Sequence, residues 1–291
     1  MCEAVSLTVT YADIFDYPLT IDEIHRYLAG RAASRQAVLE AVTRSGLFSQ
    51  VGEYFTFPGR EPLVLTRQRR AQAARRLWRA AAFYGRLIGH FPFVYMAAVT
   101  GALAVDNVEA GADIDFLIVT APSHLWVCRG MVLLLARLAR LHGVRLCPNY
   151  LVTTRALAFP DHNFYAAHEI VQMVPLSGLE IYAEIRRQNQ WTESYLPNAV
   201  GAPPAPIPIQ PPNLAHPLRR LGESLLRTSP GRALEQWEMK RKIIQLAREQ
   251  AGSPESDFSA DYCKGHSQRH QEHTRSAWRD RAQVLLWELE A

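Results

Sequence analysis

Eight prolines fall between Pro197 and Pro217, among them the pairs Pro203-Pro204 and Pro211-Pro212. Each proline fixes its own φ, lacks a backbone donor and disfavours the α region in the residue before it, so neither a helix nor an interior strand can run through this stretch. An extended, semi-rigid connector is the conformation left to it. The chain is therefore expected to divide here, with 198–217 as a linker. Beyond it, Leu218 to Leu226, Ala233 to Glu249 and Arg275 to Leu289 keep a helical period and predict a helical region over 218–291. Everything else has to be built from residues 1–197.

Several broad classes can be set aside. With 48% hydrophobic and 21% charged residues the chain is too apolar to be disordered throughout. The most apolar segment, Trp126 to Leu141, carries Arg129, Arg137 and Arg140, each costly in a bilayer, so no membrane partner is expected. Met1-Cys2-Glu3 opens no basic region followed by an apolar run, which predicts a cytoplasmic protein without a secretory signal. The four cysteines, Cys2, Cys128, Cys147 and Cys263, form no Cys-x-x-Cys pair and write neither a disulfide framework nor a thiolate zinc site. A formal charge of +4 is too small to imply nucleic-acid binding by itself.

Residues 1–60 read as a winged-helix-like module. Tyr11 to Tyr17 is an amphipathic turn stopped by Pro18. Thr20 caps a helix holding Ile21, Ile24 and Leu28, with Glu23 placed for a capping box. Ser34 caps a third helix that ends at Gly46, and Phe48 to Val51 and Tyr54 to Phe57 flank Gly52-Glu53 as a hairpin. In a DNA-binding winged helix the third helix enters the major groove; here it offers Arg35, Gln36 and Arg44, but also Glu40. The other role for such a module is to pack on the next domain or on a partner.

From Pro62 to Val105 there is no acidic residue, whereas Arg67, Arg69, Arg70, Arg75, Arg76, Arg79 and Arg86 all occur. The Ala-rich stretch reads as a basic helix, able to hold polyphosphate or nucleic acid, or to lay arginine stems on apolar surface. Next comes an α/β pattern: a strand at Phe93 to Val99, a second at Asp113 to Thr120, a helix at His124 to Leu141 capped by Ser123 and closed by Gly143, and a third strand at Val144 to Val152. His162 to Arg187 reads as further helix, interrupted near Pro175 and Gly178.

The chemistry is concentrated in Val99-Thr100-Gly101-Ala102 and, ten residues later, Asp113-Ile114-Asp115-Phe116. On an extended strand Asp113 and Asp115 project from one face. Two carboxylates sharing a site call for a cation, and hard oxygen donors suit Mg²⁺ or Mn²⁺. Gly101, at the end of the preceding strand, lets backbone approach a ligand closely, and the N–H groups of the turn can cradle phosphate.

A small-residue pair after a strand, a spacer of about ten residues and Asp-hydrophobic-Asp-hydrophobic on the next strand resembles the signature of the polymerase-β-type nucleotidyltransferase superfamily, over Phe93 to Thr153. The resemblance implies a small mixed-sheet α/β (α+β) core over 61–197, between the winged helix and the C-terminal helical region. It implies Mg²⁺-dependent transfer of a nucleoside monophosphate from an NTP to a hydroxyl acceptor, a small molecule, a protein or an RNA. By position Gly101 and Ala102, with Thr100, would contact the triphosphate, and Asp113 and Asp115 would hold the metal. Ala102 stands where the family commonly has Ser or Gly, so it offers an N–H and no hydroxyl. Arg145 to Val152 lacks the family's third carboxylate; Asn149 is the polar candidate there, and Asp161 and Glu169 are the acids that follow. Arg75 and Arg79 are candidates to neutralise the triphosphate. The alternative is a nucleotide-sensing, DNA-binding regulator with a degenerate transferase core.

Other signals carry less. Cys263, His266, His270 and His273 would share a face of a continuous helix, but its first and last members would lie about 15 Å apart, too far for one ion; a polar face, or contact of Lys264 and His266 with substrate, fits better. His162 and His168 read as hydrogen-bonded packing residues. No Gly-x-Ser-x-Gly, P-loop or His-Glu-x-x-His stretch occurs.

Overall fold

The computed structural model describes residues 1–204, 206, 217–249, 257–264 and 272–281. The N-terminal module comprises α1 (Cys2–Asp13), β1 (Leu19–Thr20), α2 (Ile21–Arg26), α3 (Arg35–Ser45), β2 (Ser49–Val51) and β3 (Tyr54–Thr56), with an antiparallel sheet ordered β1-β3-β2. The capping box forms: Thr20 accepts from the Glu23 N–H, and the Glu23 carboxylate accepts from the Thr20 N–H at 2.8 Å. Ser34 caps α3, which stops at Gly46 with φ of 65°. Val5, Val9, Ile24, Leu28, Val38, Val42 and Phe55 fill the module's core. The first helix is longer than the turn predicted at Tyr11 to Tyr17; Ala4 to Ala12 is buried along most of its length, and that burial outweighs the poor helix propensity of Val5, Thr8, Val9 and Thr10.

The helix α4 (Leu63–Gly89) leads into the core: β4 (Val94–Val99), α5 (Gly101–Ala104), β5 (Ile114–Thr120), α6 (Leu125–Leu141), β6 (Leu146–Thr153), α7 (Phe164–Gln172), β7 (Val174–Ser177), α8 (Leu179–Gln188) and the short α9 (Thr192–Tyr195). The C-terminal part supplies α10 (Pro217–Leu226), α11 (Ser229–Glu249), β8 (Asp257–Phe258), β9 (Tyr262–Lys264) and α12 (272–281). The fold is mixed α/β. Its main sheet runs β7-β4-β5-β6-β9-β8, in which β5 and β6 are parallel and joined across α6, while the other neighbours are antiparallel.

Alternation along β5 sorts the layers. Ile114, Phe116 and Ile118 face a core shared with Trp78 and Ile88 of α4 and Trp126 of α6. Leu117 and Val119 face the other core, with Ile170 of α7 and Tyr182 and Ile185 of α8. Asp115 belongs to this second face by register.

Three details differ from the sequence expectation. Ser123 does not cap α6: it adopts φ of 64°, and the Glu235 carboxylate of α11 accepts from the Trp126 and Val127 N–H groups at 3.0 and 2.7 Å. The interruption at Pro175 is a strand, β7, at the sheet edge, where a missing donor is tolerated. The C-terminal part is helical in α10, α11 and α12 but also adds β8 and β9 to the core sheet. Most of the proline-rich linker and positions 282–289 of the last predicted helix lie outside the described residues. Among those described, no helix is long and apolar enough to cross a membrane.

Candidate functional site

The site begins where β4 turns. The Thr100 N–H donates to the Asp115 carbonyl at 3.0 Å, and the next residue, Gly101, has φ of 64°. A Cβ on Gly101 would stand 2.9 Å from Asp115 Oδ2, so conformation and space both demand glycine here. The glycine bend thus lies directly against a carboxylate.

Asp113 sits at the lip of β5, just before its first residue, and is half exposed; Arg145 Nε reaches its Oδ1 at 2.6 Å. Asp115 is half-buried and registers with Cys147 on β6. Burial pushes the Asp115 carboxyl up to about 6, the Cys147 thiol opposes this by donating a hydrogen bond, and the nearby Asp113 charge adds to it. Burial and the Asp115 charge in turn hold Cys147 up to about 12, a protonated donor and not a nucleophile.

Of the two further acids, Asp161 is paired with Lys264 of β9 at 2.9 Å. Glu169, on α7, has a carboxyl raised to about 7, first by burial and then by the Asp115 charge, with Lys264 opposing. Glu169 therefore lies within electrostatic reach of Asp115.

Asp113, Asp115, Glu169, Gly101, Ala102 and Asn149 line a single cavity of about 500 Å³. Its opposite wall comes from the N-terminal module, through Thr8, Tyr11, Phe15, Tyr17 and Tyr27, and Thr274 of α12 closes one side. A smaller cavity of about 60 Å³, bordered by Thr100, Asp161 and Lys264, meets it at Asn149, Tyr165 and Glu169. The aromatic wall was not foreseen, since no local pattern in residues 8–27 announces which domain they will face.

The basic helix is divided in its roles. Arg67 is buried at the seam, donates to Glu23 at 2.8 Å and to the Asp106 carbonyl at 3.1 Å, and covers the Tyr17 ring at 3.9 Å. Arg70 reaches Glu109 at 2.7 Å and the Phe15 carbonyl at 3.1 Å. Arg75 and Arg79 are exposed and are not among the residues lining the cavity. On α3, Arg35 is paired with Asp22 at 2.5 Å and Arg44 with Glu40.

His168 stacks on Tyr11 with centroids 4.0 Å apart and lies 2.9 Å from the Phe164 carbonyl; burial holds it down to about 4, so it is a neutral packing group. His162 stacks on Trp191. Cys263 is a buried residue of β9, which breaks the helical spacing that would place it with His273; His266 and His270 lie outside the described residues.

The donor set fits a hard divalent cation in kind: oxygen donors at Asp113, Asp115, Glu169 and Asn149, with the Asp115 and Glu169 carboxyls raised first by burial and then by a neighbouring acid. It is not a closed cage, since among the described residues no group of three or more His, Cys, Asp or Glu is gathered for one ion.

Comparison with known protein families, with curated proteins and with solved structures finds no match for this chain.

Proposed function

We propose that the chain is a nucleotidyltransferase that uses Mg²⁺ or Mn²⁺ to move a nucleoside monophosphate from an NTP to a hydroxyl acceptor. The observation that carries this reading is the glycine bend packed against Asp115, sharing with Glu169 one cavity large enough for a small ligand. Gly101 and Ala102 would offer backbone N–H groups to a phosphate tail. Asp113 and Asp115 would hold the metal, and Glu169 is the further acid lining the same cavity, in place of the one absent from β6. Such an ion, when bound, neutralises charge on phosphate and on the leaving group. In the reaction the acceptor oxygen bonds to the α-phosphorus as the bond to pyrophosphate breaks; the hydroxyl proton passes to Glu169, whose affinity for protons near neutrality suits a general base. The paired arginines of α3 favour this reading over a DNA-binding regulator.

The test is binding of each labelled NTP with and without Mg²⁺, for wild type, Asp113→Asn and Asp115→Asn. Wild type should bind at least one NTP with metal dependence, and Asp115→Asn should lose that dependence. Equal, metal-independent binding by all three proteins defeats the proposal.

A further inference from the structure

Cationic side chains strengthen phosphate binding, and among the described lining residues of the large cavity there are three carboxylates and no lysine or arginine. The α4 arginines do not reach it. Next door, a cleft of about 200 Å³ shares Tyr11 and Tyr165 with the cavity and is bordered by Arg275 and Arg279 of α12. These two stand one helical turn apart and are exposed. Arg281 on the same helix is tied to Asp13 at 2.6 Å, whereas neither Arg275 nor Arg279 has a carboxylate partner among the described residues.

The helix that carries them is anchored. The Trp278 ring stacks on Phe164 with centroids 4.6 Å apart, and Thr274, buried one residue before Arg275, lines the large cavity. One helix thus borders both spaces, and its guanidinium groups flank an aromatic wall. Planar, permanently charged guanidinium groups match phosphate oxygens in pairs.

We propose that this cleft is a phosphate-binding subsite serving the adjacent cavity, with Arg275 and Arg279 as its ligands. Its role rests on the transferase reading above, in which the phosphate belongs either to the nucleotide's own tail or to a phosphorylated acceptor.

The test titrates the full chain with tripolyphosphate in EDTA and with an NTP plus Mg²⁺. The proteins are wild type, the double variant Arg275→Gln/Arg279→Gln, and Arg75→Gln, which alters an exposed arginine outside the cleft. Tripolyphosphate binding should weaken tenfold or more in the double variant and remain unchanged in Arg75→Gln, with thermal midpoints matching wild type. A parallel loss of NTP binding assigns the cleft to the nucleotide's tail. Retained NTP binding, with loss of inorganic phosphate binding to the NTP-saturated protein, assigns it to the acceptor. Absence of tripolyphosphate binding by wild type, equal binding by all three, or an equal loss in Arg75→Gln overturns the subsite. Asp115→Asn separates the two readings: it should remove the metal dependence of NTP binding and leave tripolyphosphate binding in EDTA intact.

Discussion

The two ends of the chain attach to the core in opposite ways. The N-terminal module has its own apolar centre and docks as a finished unit, through Tyr11, Tyr27 and Ala29 against α7 and through the Arg67 seam. The described C-terminal segments have no such centre: Leu246 and Cys263 belong to one core of the main sheet, Tyr262 to the other, and β9 pairs along β6. Docking permits a module to loosen while the core persists. Insertion does not. The candidate cavity lies where both attachments meet, so each end bears on the site through a different kind of bond.

The largest expected effect that would break this contrast comes from Arg67→Ala. The substitution removes the guanidinium that Glu23 and the Asp106 carbonyl share at a partly buried seam, while the Tyr17 hydroxyl still reaches Glu23 and the Val105 carbonyl, a loss of about 3 kcal/mol. Hydrogen exchange should accelerate in residues 1–60 well before it does in β4 and β5. Uniform acceleration would mean that the module is as integral as the C-terminal strands.

A smaller effect sharpens the contrast through pH. His168 stacks on Tyr11 at the same junction and is held down to about 4, against an ordinary value of 6.5. Between these values the unfolded chain binds the proton that the folded chain refuses, so this contribution to stability is complete above pH 6.5 and is lost as pH falls towards 4. The loss amounts to about 2–3 kcal/mol. Asp115 and Glu169, raised to about 6 and 7, slope the other way, with stability falling as pH rises through the same range. The difference between wild type and His168→Phe removes their contribution, and denaturant melts from pH 4 to 7 should show that difference shrinking with acid. A difference independent of pH would put the titrating group elsewhere.

The contrast also explains what could be read in advance. Thr20, Glu23, Ser34 and Gly46 act within a few residues of themselves, and their roles were legible. The placement of Gly101 at a turn beside Asp113 and Asp115 was legible too, because strand alternation and a turn are local facts. Glu169 could be named but not assigned, since α7 reaches Asp115 only after the chain has crossed the sheet. The Arg145 grip on Asp113 and the Cys147 hydrogen bond to Asp115 depend on parallel pairing of β5 with β6, which no spacing reveals. Arg75 and Arg79 looked suited to phosphate on charge alone, but the helix periodicity did not say which way each would face. The strands β8 and β9 are two and three residues long, too short for a periodic signal, and owe their existence to the edge of β6.

Glu235 tests the inserted end at the smallest scale. Its carboxylate accepts from the Trp126 and Val127 N–H groups at the start of α6, where Ser123 was expected to act, and burial pushes its carboxyl upward while those hydrogen bonds oppose the shift. Glu235→Ala leaves two buried donors without acceptors and should cost about 1–2 kcal/mol, as the loss of a helix cap does. Because α6 links β5 to β6, the loss should lower the single cooperative transition of the core, leaving the exchange pattern of residues 1–60 unchanged relative to it. Glu235→Gln keeps one acceptor oxygen and should recover part of the loss. If Glu235→Ala instead frees α11 alone, with β5 and β6 still fully protected, the C-terminal part is a docked unit after all and the distinction between the two ends disappears.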